Sequence, residues 1–361
     1  MRLLQDFLDR SKQHNQTSLS NKVGKSLAYH ASTHKYKIIH QALILPNLPP
    51  PLHYLNFHSM IGQPNVPIFL NLSAVQTTAL NTATVLCSSS VHMVGQLHSY
   101  DIKQQCNFQN DHFQFLDREQ LAGQPPFLNF SRQDSELQLE LDIETTSVIS
   151  HLIQLRLGLT THWSALCKCK GELKYKGQLY HIDALGSFEY ARSINFAYLP
   201  LAFFCYQVIN LANQRQILFL QIRDRFNRVI QSRIYLRDLH TGQNRMFDED
   251  VCFKVHRVYP SVMTPNGQKM YLPREFEWCY VDQAGNKINL QAQSRGDFKF
   301  GLAAGYVGSF CYQISIDGQV ESGEGGYCEY IDCRALRFQE QNKSEKLLND
   351  LANPVPILLK K

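Results

Sequence analysis

The sequence has no concentrated block of one charge. Its 36 Lys and Arg face 31 Asp and Glu, which leaves +5 spread over 361 residues. Nucleic-acid binders gather basic residues into a stripe, so no nucleic-acid partner is expected. A secretory leader is also missing: Asp6 and Asp9 interrupt the apolar residues of Met1–Arg10, and this predicts a cytoplasmic chain. The ten cysteines are scattered from Cys87 to Cys333 rather than framed as in a small secreted scaffold, so they are expected to remain thiols. The uncharged run Ile194–Ala212 is broken by Asn195, Pro200, Gln207 and Asn210 and reads as a buried connection rather than a membrane span.

The common cofactor and metal signatures are absent too. Gly24-Lys25-Ser26 has Leu19 where a P-loop needs glycine, and Gly301, Gly305 and Gly308 lack dinucleotide-loop spacing. Cys167-Lys168-Cys169 has one intervening residue, and no C-x-x-C partners it or His162. His30 and His34 lack the glutamate of a zinc-protease helix, and no G-x-S-x-G elbow occurs. Neither a cofactor nor a metal is expected.

What the chain does have is period-two alternation. Leu137, Leu139, Leu141 and Ile143 alternate with polar residues, as do Ile153–Leu159, Val251–Val255, Ile288–Ala292 and Phe310–Ile316. Each reads as a strand with one dry face. Lys176-Gly177, Thr241-Gly242, Asn266-Gly267, Ala284-Gly285-Asn286 and Asp317-Gly318 supply hairpin turns. Helical periodicity is confined to the first dozen residues and to Ser344–Leu351. The fold class read from this is all-β, antiparallel, with short terminal helices.

An internal repeat organises the strands. Gly177-Gln178-Leu179 leads into Gly186-Ser187-Phe188-Glu189-Tyr190, and Gly318-Gln319-Val320 leads into Gly326-Tyr327-Cys328-Glu329-Tyr330. This predicts two tandem β-domains that end in a common hairpin. The expected division is an N-terminal helical or extended segment over 1–35, a first barrel over 36–192, a linker and second barrel over 193–337, and a C-terminal helix and tail over 338–361. The faces Leu3, Leu4, Phe7 and Leu8 and the tail 356–361 would either dock on the protein or make a peripheral membrane contact. No residue pattern assigns an oligomeric state.

These motifs carry a family resemblance. Gly171-Glu172-Leu173, Lys176–Tyr180 and Gly186–Arg192, with Gly323–Tyr330 later, are similar to the domain ends of AttH-like proteins. That superfamily includes the carotenoid 1,2-hydratases (hydroxyneurosporene synthases) and fungal Diels–Alderases. The run Leu45–Pro50 most resembles an uncharacterised bacterial branch of it. The resemblance implies two packed lipocalin-like (calycin) barrels and an apolar pocket for an isoprenoid, fatty or polyketide-like small molecule. Many relatives carry an acid followed by His and Trp where this chain has Glu189-Tyr190-Ala191-Arg192; the acid is kept, the His and Trp are not.

Glu189 is the candidate catalytic residue. Facing a barrel interior, it would be held protonated by desolvation and able to protonate a carbon. The alternative is an ion pair, for example with Arg192, and Glu329 at the matching place favours that structural role. Tyr54, Asn56 and His58 share one strand face and would orient a ligand oxygen. His181 shares a face with Asp183, which would orient its ring. Trp163, Tyr190, Trp278, Tyr327 and Glu329 complete the expected ligand lining. Three functions follow: a binder of a hydrophobic small molecule in a barrel, a cofactor-independent hydratase, isomerase or cyclase acting on it, or a structural protein with filled barrels.

Overall fold

The computed structural model describes residues 9–17, 27–90, 96–283 and 285–334. Of the helix expected over the first dozen residues, 1–8 lie outside the described residues, and Asp9 forms an isolated bridge with Leu155; Ser344–Leu351 and the tail at 356–361 also lie outside them. One short helix, α1 (Ser11–Thr17), precedes the sheets.

The first sheet contains eleven strands. They are β1 (Ile38–Pro46), β2 (Tyr54–Ile61), β3 (Thr82–Ser89), β4 (Gln96–Asp101), β5 (Cys106–Gln109), β6 (His112–Phe115), β7 (Glu119–Gln124), β8 (Phe127–Gln133), β9 (Leu137–Gln154), β10 (Thr160–Tyr175) and β11 (Gln178–Ser193). Each pairs with its neighbour in sequence, and β1 closes onto β11, so the sheet is an up-and-down barrel open only between β4 and β5. A one-turn helix, α2 (Ile102–Gln105), capped by the Asp101 carboxylate, spans that opening.

The second sheet is a curled half-barrel. It holds β12 (Leu201–Leu211), β13 (Arg215–Asp224), β14 (Val229–Asp238), β15 (Gln243–Phe247), β16 (Cys252–Val258), then β19 (Pro273–Val281), β20 (Lys287–Ser294), β21 (Lys299–Leu302), β22 (Gly305–Ile316) and β23 (Gln319–Asp332). The small ribbon of β17 (Val262–Met263) and β18 (Lys269–Met270) stands apart. Here too the first strand pairs with the last, and the ladder is open between the fourth strand, β15, and the fifth, β16. The all-β, two-barrel architecture read from the sequence is the one observed.

Alternation explains the layering. Along β9, the leucines of Leu137–Ile143 are buried and the intervening residues exposed. Both long hairpins close as the sequence predicts: Lys176-Gly177 and Asp317-Gly318 have positive φ at both positions. One alternating stretch breaks. After Gln154 the chain turns through Arg156–Gly158 with Leu157 at φ 58 and 87% exposed, because reversing into β10 there demands a left-handed residue. The Ile194–Ala212 run is not helical; its second half is β12, and among the described residues no helix is long and apolar enough to cross a membrane.

Each barrel is packed with its own side chains. In the first, the Phe57 and Phe130 rings meet at 4.2 Å, Phe188 and Tyr190 meet Tyr29 of the preceding segment, and Trp163 packs on Tyr190. A buried polar brace lies there as well: Glu119 accepts from Tyr100 at 2.5 Å and pairs with the fully buried Arg132 at 3.0 Å and with His98 at 3.1 Å. It ties β4 to β7 and β8 across the barrel's opening. In the second, Trp278 packs on Phe253 and Phe219 and donates to Gln207.

Candidate functional site

The repeated G-x-x-E-Y segments lie on the closing strands β11 and β23. Glycine begins each because no Cβ fits: one on Gly186 would stand 2.4 Å from Leu45 Cδ2, and one on Gly326 2.4 Å from the Phe310 ring. Alternation then divides the segments. Phe188 and Tyr190 point into the first barrel's core, whereas Ser187 and Glu189 point outward to the seam where the two barrels pack. Tyr330 likewise faces the second core against Phe203, and Glu329 faces the seam.

The two glutamates reach across this seam in opposite senses. Glu189 of β11 accepts a hydrogen bond from Tyr206 of β12 at 2.5 Å, and its other oxygen lies 3.1 Å from His162 Nε2. Glu329 of β23 accepts from Tyr327 at 3.1 Å and lies 3.2 Å from His58 Nε2 on β2. His58 also contacts the Tyr327 hydroxyl at 2.7 Å and stacks on His40 at 5.7 Å, while its Nδ1 finds no partner among the described residues.

Burial raises both carboxyl groups, but their neighbours separate them. Glu189 is desolvated, yet His162 and the Tyr206 hydroxyl stabilise its charge and bring it down to about 2. Glu329 is desolvated and faces the Glu189 charge, and these effects push it well above the ordinary carboxylate range despite the Tyr327 hydrogen bond. One acid is thus held ionised and the other protonated. Burial first, then His40, lowers His58 to about 3, so its ring is neutral.

The charge of Glu189 has a cationic neighbour in Arg237 of β14. This fully buried side chain donates to Ser164 O and Oγ at 3.1 and 3.0 Å, to Ser187 Oγ at 3.0 Å and to Gln216. Desolvation lowers its pKa, while Tyr206 and Glu189 raise it.

The structure gathers only part of the expected set. Tyr54, Asn56 and His58 do share a face, and it is the seam: Asn56 donates to Tyr327 at 3.4 Å and accepts from Ser88, which contacts Tyr54 at 3.3 Å. Tyr327, Glu329 and Glu189 join them. Trp163, Tyr190 and Trp278 belong to the barrel cores. His181 is exposed and pairs with Glu172, and Asp183 with Lys170. Arg192 stacks on Tyr36, on the face opposite Glu189. Cys167 and Cys169 lie in the first core with sulfurs 3.6 Å apart, away from His162. His40, Tyr206 and Arg237 escaped the sequence reading because no local motif marks them. A separate groove of about 400 Å³, lined by His256, Glu275, Glu277 and Gln291 among others, lies on the second sheet outside this cluster.

Comparison with solved structures places the fold. A Nitrosomonas europaea protein described as AttH-type superposes with a TM-score of 0.58 at 14% identity, covering 86% of this chain and 98% of that one. Kievitone hydratase from Nectria haematococca gives 0.55 at 12% identity, covering 82% and 89%. The fold is therefore the AttH-like one expected from the sequence. No curated protein sequence matches the chain. Residues 58–345 match the model of a family of unknown function, DUF6670, and the chain belongs to that family.

Proposed function

We propose that the protein binds a hydrophobic small molecule, isoprenoid, fatty or polyketide-like, and acts on it in the seam by acid–base chemistry of the hydratase or isomerase type. The reciprocal placement of Glu189 and Glu329 carries this reading. Two carboxyl groups whose surroundings drive their protonation apart form a ready acid and base. Protonated Glu329 gives its proton to an alkene carbon, a water oxygen bonds to the resulting cation, and the released proton goes to Glu189. Return of that proton to Glu329 closes the cycle; the reverse order removes water, and loss of a carbon-bound proton instead shifts the double bond. Shared architecture with a hydratase supports the reading.

Incubating the protein with a panel of isoprenoid and fatty alkenes and alcohols, followed by mass spectrometry, is expected to reveal gain or loss of one water or an isomer. Glu329→Gln exchanges a neutral acid for a neutral amide, so turnover should fall by about 10²–10⁴-fold with little change in Tm. Full activity in Glu329→Gln, or no binding and no conversion across the panel, overturns the proposal.

A further inference from the structure

We propose that His40, His162 and Glu189 form a binding site for a zinc-class divalent cation at the solvent-side end of the seam. The register of three adjacent strands builds it. His40 on β1 and His162 on β10 both stand directly opposite Ala191 of β11, one on each side. The single methyl of alanine fills little of the space between them, and the two imidazoles meet there edge to face at 6.0 Å. Glu189 lies two residues along β11 on the same face. One candidate ligand atom from each residue lies within 4.8 Å of the others.

Four details match what a cation requires. His40 Nδ1 donates to the Ser59 carbonyl at 2.9 Å, which leaves Nε2 as a bare donor; metal-bound histidines are characteristically fixed this way. Glu189 is oriented by Tyr206 and Ser187 on Oε1, so Oε2, the oxygen facing His162, is the one presented to the ion. Bond lengths of about 2.0–2.1 Å to nitrogen and oxygen imply ligand atoms roughly 3.4 Å apart in a tetrahedron. The 3.1 Å separation of His162 Nε2 from Glu189 Oε2 already approaches that edge, and small side-chain rotations close the rest. Finally, the His162 side chain is 16% exposed, in contrast to 4% for Glu189, so an ion would reach the cluster from that side. Two imidazoles and one carboxylate with an open position suit zinc and its neighbours rather than calcium or magnesium.

The site shares Glu189 with the acid–base reading above but does not rest on it. Binding itself rests only on placement, so the two fail separately. The test is titration of the metal-stripped full-length protein with Co²⁺ alone, read by visible absorption, with Zn²⁺ as competitor. One equivalent is expected, with the spectrum of a low-coordinate nitrogen–oxygen site displaced by zinc. Thiolate ligation would add intense near-ultraviolet bands and so betray binding by cysteines. His162→Gln, at a partly exposed position, and His40→Ala should each weaken binding at least tenfold, whereas His181→Gln, at an exposed imidazole elsewhere, should leave it unchanged. No stoichiometric binding by the native chain, a thiolate spectrum, or affinity unaffected by His162→Gln overturns the site.

Discussion

Glu189 and Glu329 each project from the closing strand of their own barrel and find their partner on the other: Glu189 on Tyr206, Glu329 with His58. With the contacts of Tyr327 and Arg237, these tie the seam by polar groups rather than by apolar packing alone. Buried carboxyl groups are costly unless partnered, and the arrangement resolves that cost differently on the two sides. Glu189 keeps its charge beside His162 and Arg237, and Glu329 keeps its proton.

Arg237 and Glu189 should behave as one electrostatic unit. Arg237→Met leaves Glu189 without its buried cationic neighbour and is expected to destabilise by about 3–5 kcal/mol. Glu189→Gln alone should also destabilise, and the double variant should lose less than the sum, with a coupling of about 0.5–3 kcal/mol in a urea-denaturation cycle. Strict additivity would show that the two charges do not balance each other.

Gly326→Ala tests why the repeated motif starts with glycine. The new Cβ would meet the Phe310 ring at 2.4–2.5 Å, and a buried ring in a packed core has little room to turn. A loss of about 1–3 kcal/mol is expected, seen as a lower urea midpoint with an unchanged slope. Wild-type stability would mean that β22 and β23 separate freely there.

His151 should contribute to acid sensitivity. Burial first, then the nearby His14, lowers it from 6.5 to about 4. Between those values the unfolded chain binds the proton and the folded one does not, so stability falls as pH drops from about 6.5 toward 4. Replacing it by Gln removes this contribution, and the difference in unfolding free energy between pH 7.5 and pH 5 should shrink. An unchanged difference would place the titration elsewhere.

Much of the fold was legible because a strand's period of two is written directly into the residue order. The alternation of Leu137–Ile143 and the turns Lys176-Gly177 and Asp317-Gly318 each appear where the residues indicate. The break at Leu157 was not legible: an apolar residue every second position looks the same whether the strand continues or reverses. Parity puts Tyr54, Asn56 and His58 on one face, and the same parity sends Arg192 to the face opposite Glu189, which excludes it as the partner in the ion-pair alternative.

The environment of Glu189 was the harder matter. The sequence supplies a carboxylate two positions from Ser187 and opposite in facing to Phe188 and Tyr190. Whether that carboxylate is kept protonated depends on groups brought from β1, β10, β12 and β14, which are distant in the chain. By itself the sequence determined the strands, the turns, the repeated closing motif and which residues share a face, since those follow from local geometry. Only the tertiary structure decided that the outward face of each closing strand becomes the buried seam, and hence which glutamate holds a charge and which a proton, because pKa is set by what surrounds a group in space.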